Sequence, residues 1–166
     1  MRKVYRGIAL LIALGVVLQA SAIAFAWFQV IGDIDGGAVI NSDYDGNAGH
    51  VLHGIVGMMV IPLLALLLLA VSPFTKVKGA SRWAAFVLLA VVTQVVLAFV
   101  AFGAAAVGAL HGANALVLLG VALTAARRVD VAGTSARVED APDGAHGTAG
   151  TVPQQTSASS QRSSTV

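Results

Sequence analysis

With 166 residues, 57% of them hydrophobic and 11% charged, the chain is far more apolar than a soluble domain, in which roughly a quarter of residues carry charge. Its length supplies one compact bundle, and the formal net charge of +2 matters less than where the charges lie. Cysteine is absent, which excludes a disulfide, a thiolate metal site, an iron–sulfur cluster and haem attached through a Cys pair; any metal or haem must be held by nitrogen and oxygen ligands.

A basic lead, Met1-Arg2-Lys3-Val4-Tyr5-Arg6, opens onto an uncharged run over 7–31, longer than the ~20 residues that cross a bilayer. Ala24-Phe25-Ala26 is like a small-residue cleavage site, but the apolar run exceeds the ~7–15 residues of a signal-peptide core, so the stretch is expected to stay as helix 1. Gln19 and Gln29 lie within it and read as polar contacts between helices. The next stretch, with Asp33, Asp35, Asp43 and Asp45 among glycines, is a solvated acidic loop; it lacks the further ligands and closing glutamate of a calcium-binding EF-hand.

Helix 2 is expected over 50–71, kinked at Pro62 and ended by Ser72-Pro73. Lys76, Lys78 and Arg82 form a basic link to helix 3 over 83–103, where Trp83 suits an interfacial anchor and Thr93 and Gln94 are the polar interior residues. A small-residue turn leads to helix 4 over 108–126, closed by Arg127-Arg128. Residues 129–166 contain no Leu, Ile or aromatic residue and are rich in Gly, Ser and Thr, the composition of a disordered tail. The fold class is therefore all-α, a four-helix transmembrane bundle over 1–128 followed by that tail.

The ten Lys and Arg residues lie in the N-terminal lead, the helix 2–3 link and the segment after helix 4, whereas the helix 1–2 loop has aspartates and no base. The positive-inside rule then puts both termini and the tail in the cytoplasm and the acidic loop outside the cell membrane. Expected partners are the lipid bilayer and other membrane proteins, not nucleic acid. No Asp, Glu, Lys or Arg falls inside a span, so a carboxylate proton relay has no candidate and no catalytic residue can be named.

Four residues stand out as a candidate site: His50, His53, His111 and Asn114. Helices 2 and 4 run in the same direction, and His53 and His111 each lie about three residues past a helix start, roughly 5 Å below the outer boundary at about 1.5 Å per residue. In an up-down-up-down bundle these helices are diagonal, so inward imidazoles would meet at one level, as two axial ligands of haem b do. Gly54, Gly57, Gly108 and Gly112 would clear room for a macrocycle or serve close helix packing through Gly108-x-x-x-Gly112. His50 would meet a propionate or a headgroup, and Asn114 would orient an imidazole or bond another helix. Haem propionates outside would find no Lys or Arg, only His50, Asn47, backbone amides and water. Two or three imidazoles make a thin set for zinc or copper, so metal ligation by His53 and His111 is expected only toward haem iron.

At His53-Gly54-Ile55-Val56-Gly57 and Leu110-His111-Gly112-Ala113-Asn114-Ala115 the chain resembles a group of small four-helix membrane proteins of actinobacteria, over about residues 7–128. More distantly it resembles one half of haem A synthase, which implies His53 and His111 as a haem-ligating pair. That family's Glu-x-x-His-Arg motif reads His50-Val51-Leu52-His53-Gly54 here, so the resemblance implies a haem-binding relative or one that keeps the fold alone, not haem A synthesis. Two functions follow. The leading one is a non-enzymatic structural or interaction protein whose histidines are interfacial; the alternative is a b-type-haem electron-transfer protein with His53 and His111 as axial ligands.

Overall fold

The structure, a computed structural model, describes residues 1–41 and 43–139, with side chains described as far as residue 129. Among the described residues four helices follow one another: α1 (Arg2–Asp35), α2 (Ala48–Thr75), α3 (Ala80–Gly103) and α4 (Val107–Glu139). Each holds a stretch long and apolar enough to cross a membrane. Neighbouring helices pack in a ring, α1 on α2, α2 on α3, α3 on α4 and α4 on α1, which leaves α2 and α4 diagonal across the interior.

The interior is made of small residues and the surface of large ones. Ala9, Ala13, Ala65, Ala84, Ala122 and Ala125 are buried, with Ile12, Leu68, Val87 and Leu118 filling between them, whereas Leu14, Leu18, Phe28, Phe102 and Leu116 stand exposed. That inversion suits a bundle bathed in hydrocarbon, where helices gain little by hiding leucine and gain contact by close approach of backbones. At the end bearing Lys76 and Lys78, the basic end, polar ties add direction. Tyr5 donates to the Ala80 carbonyl at 3.0 Å, and Ser72 Oγ pairs with Ser81 Oγ at 2.9 Å. Arg128 lies 5.3 Å over the Trp83 ring, a cation–π contact at the position expected of an interfacial anchor.

Helix limits differ from the sequence expectation in physically readable ways. The first helix starts at Arg2 and runs to Asp35, because flanking polar residues continue a helix that the bilayer-length core has already nucleated. For the same reason α4 continues to Glu139, well into the segment expected to be a disordered tail; residues 140–166 lie outside the described part. The α-helical part of α2 ends at Val71 as expected, and Ser72-Pro73 carries the chain on through one 3-10 turn, Ser72–Thr75, with Lys76 in the left-handed region at φ 57°.

The expected kink in α2 is a π-helical turn. The helix is α-helical over Ala48–Ile55, π-helical over Val56–Val60 and α-helical again over Ile61–Val71. Pro62 explains the irregularity: it has no N–H for the Met58 carbonyl and its ring crowds that carbonyl. Widening the turn relieves both, and the Ile61 N–H reaches back to the Val56 carbonyl instead.

Candidate functional site: a pair of facing histidines

His53 of α2 and His111 of α4 meet across the diagonal with ring centroids 6.3 Å apart and planes tilted by 56°. Each imidazole is held from behind by its own hairpin. His53 Nδ1 lies 3.2 Å from the Gln19 carbonyl and His111 Nδ1 lies 3.0 Å from the Gln94 carbonyl. A carbonyl only accepts, so both Nδ1 atoms carry a proton, which in the neutral form of each ring leaves the lone pair on Nε2. The glutamines return the bond: Gln19 Nε2 donates to the His53 carbonyl and Gln94 Nε2 to the His111 carbonyl, each at 3.0 Å. These two reciprocal clamps tie α1 to α2 and α3 to α4 at one level.

Asn114 bonds a neighbouring helix. Its Nδ2 donates to the Ala90 carbonyl at 2.9 Å and to Gln94 Oε1 at 2.7 Å, so it acts on His111 through Gln94. His50 is not brought to the pair. It completes a capping box at the start of α2, where Asn47 Oδ1 accepts from the Gly49 and His50 N–H groups and His50 Nδ1 accepts from the Asn47 N–H at 3.4 Å. Its ring stands edge-on to Trp27 at 5.9 Å. Asn47 Nδ2 is taken up by the Ala26 carbonyl.

The pair sits where the packed interior stops. Between Val92 and Val117 no residue is buried, and between His50 and Val60 none is. Toward the end bearing the 36–47 loop, α2 rests on α1, and its contact with α3 is made by the segment beyond Ile61. A Cβ on Gly54 or Gly112 would meet nothing within 4 Å, and one on Gly108 would meet only Ala101 at 4.0 Å. Gly54 and Gly112 are exposed with nothing packed on them, so Gly108-x-x-x-Gly112 is not a close-packed seam in this chain. Gly57 makes room for Gln19, whose Nε2 would stand 3.1 Å from an added Cβ.

The ring spacing fits one metal ion shared by both imidazoles. A ligating nitrogen stands about 2 Å from its metal and about 1 Å from its own ring centre, which puts the centres of two opposed rings about 6 Å apart. The observed separation is 6.3 Å. Among the described residues no cluster of three or more His, Cys, Asp or Glu converges. A bare ion would thus have two protein ligands, whereas a macrocycle brings its own in-plane four.

Neither a protein-family model, nor a curated protein, nor a solved structure matches this chain. What sequence reasoning missed is the role of Gln19, read as a contact between helices, and of Gln94, read only as a polar interior residue. Leu52-His53-Gly54 recurs as Leu110-His111-Gly112, and the helix preceding each carries an interior glutamine. Reading each hairpin as one unit would have paired them. Gln29, the other glutamine of α1, is exposed.

Proposed function

We propose that the chain is an integral protein of the cell membrane that carries single electrons through a b-type haem ligated axially by His53 and His111. The observation that carries this reading is the spacing of the rings, 6.3 Å, with both Nδ1 atoms already engaged. Hydrogen-bonded Nδ1 atoms leave Nε2 as the ligating atom and make it a better donor. His53 and His111 would hold the haem from its two sides, and the group would supply one-electron chemistry there. The clamps by Gln19 and Gln94 keep the rings from turning when the charge between them changes.

By the placement of Lys and Arg, both termini face the cytoplasm and the acidic loop faces outward, so the histidine pair lies toward the outer leaflet. The capping of α2 by His50 beside Trp27 supports an interfacial role for that residue, and the facing of His53 and His111 across the bundle supports a shared ligand for those two.

The test is a reduced-minus-oxidised absorption spectrum, with haem quantified, on full-length protein purified in mild detergent from haem-sufficient cells. Near-stoichiometric haem with low-spin b-type bands is the expected result. A colourless protein that fails to take up added haem overturns it, as does a His53→Ala/His111→Ala variant with an unchanged spectrum.

A further inference from the structure

The buried stripe of α2 beyond the π-turn is Ile61, Ala65, Leu68 and Ser72, spaced as one face of an α-helix. Continued backward through an unbroken α-helix at about 100° per residue, that stripe would reach Gly54 and His50 and would leave His53 roughly 90° off it. The structure instead turns Gly49, His53 and Val56 inward: Gly49 is buried, His53 meets His111, and Val56 packs against the core. The discrepancy is one residue, and a π-turn absorbs one residue.

A second contact fixes the same register. A Cβ on Gly49 would lie 2.6 Å from the Ala22 carbonyl oxygen and 2.8 Å from Ala26 Cβ, so backbone presses on backbone there and only glycine fits. A helix turned by one residue would bring His50 to that place.

We propose that the π-turn Val56–Val60, demanded by Pro62 and locked by Gly49, is the device that selects His53 over Gly54 as the residue of α2 facing His111. Pro62 and Gly49 are positioning residues in this scheme: neither touches the space between the rings, and both decide what does. The consequence for ligation rests on the haem reading; the register itself does not.

Because the chain has no cysteine, register can be read directly by pairing one cysteine at position 111 with one on α2 and applying a short thiol-to-thiol cross-linker to the full-length protein. In a Pro62→Ala background with Met59 deleted, Ile61 follows His53 by seven positions, about two straight α-helical turns. The H53C/H111C cross-link is expected to persist, and the version with native histidines is expected to keep its low-spin spectrum. Deleting Met58 as well, with Ala48→Gly to preserve the contact on Ala22, is expected to move the cross-link from H53C to L52C and to abolish the low-spin bands. Leu52→His with His53→Leu in that chain should then restore them, which a merely destabilised helix would not do. A single deletion that abolishes the H53C cross-link, or a double deletion that leaves it at 53, overturns the proposal. Cross-links that follow the prediction in a protein that never binds haem leave the register standing and remove the haem reading.

Discussion

In the α1–α2 hairpin Gln19 and His53 exchange two hydrogen bonds, each residue giving one side-chain donor and one main-chain acceptor, and in the α3–α4 hairpin Gln94 and His111 do the same. What surrounds the two clamps differs. Behind Gln94 stands Asn114, three residues after His111, which satisfies Gln94 Oε1. Behind Gln19 the corresponding place, three residues after His53, holds Val56, and Gln19 Oε1 is a buried side-chain oxygen without a partner among the described residues. In compensation, α2 is pinned by main-chain features that α4 lacks, the π-turn and the close approach of Gly49 to α1. Beyond the shared clamp, one histidine is therefore backed by a side-chain network and the other by backbone packing. The two halves should fail under different substitutions.

The comparison breaks most completely when the clamped groups themselves are removed. His53→Ala and His111→Ala are each expected to end low-spin ligation, and the double variant to abolish haem binding, measured by absorption spectroscopy and haem content. Next comes Gly49→Ala, which drives a methyl against the Ala22 carbonyl and should cost about 1–3 kcal/mol, as overpacking does. It should disturb ligation by His53 while leaving the α3–α4 clamp intact; a thermal midpoint and spectrum equal to wild type would contradict the packing described.

The glutamines offer a finer contrast. Gln94→Leu strands the His111 clamp and removes one of two acceptors from Asn114 Nδ2, so a loss of about 1–2 kcal/mol is expected. Gln19→Leu removes one bond to the His53 carbonyl but also removes a buried oxygen that has no donor, so its cost should be under about 1 kcal/mol. Thermal unfolding of both variants in one detergent decides the order. A Gln19→Leu variant that loses more stability than Gln94→Leu would show that the orphaned oxygen has a partner in the membrane.

The four spans, their order and the level of the two histidines were legible because they depend on length, charge placement and rise per residue. The clamps were less so, since Gln19 and Gln94 lie 34 and 17 residues from their histidines and only the recurrence of Leu-His-Gly after a helix with an interior glutamine marks the pairing. The π-turn was hidden for a different reason. The stretch Ile61-Pro62-Leu63-Leu64-Ala65-Leu66-Leu67-Leu68-Leu69 is apolar on every side, so it has no polar face from which a periodicity could be read. Its orientation is set by which small residues let a neighbour approach, Gly49 and Ala65 among them, and that is a property of packing. Helix 4 outran its expected end because composition reports whether a segment can bury itself, not whether it can extend a helix already formed.

The most delicate prediction repairs the difference between the hairpins. Val56→Asn places an amide where α4 has Asn114, within the same three-residue step of the histidine. In α4 that amide reaches both Gln94 Oε1 and the carbonyl of Ala90, four residues before the glutamine; the counterpart on α1 is Gly15, which is also buried. The new donor should satisfy Gln19 Oε1 and stabilise the bundle by about 0.6 kcal/mol, the average for such bonds between membrane helices. The gain should vanish and become a loss when Gln19→Leu is added, because the introduced amide would then be buried facing leucine. A double-mutant cycle in thermal unfolding isolates that coupling. If Val56→Asn destabilises the protein to the same extent with and without Gln19, the orphaned oxygen is out of reach from position 56 and the two hairpins share their clamp but not the geometry behind it.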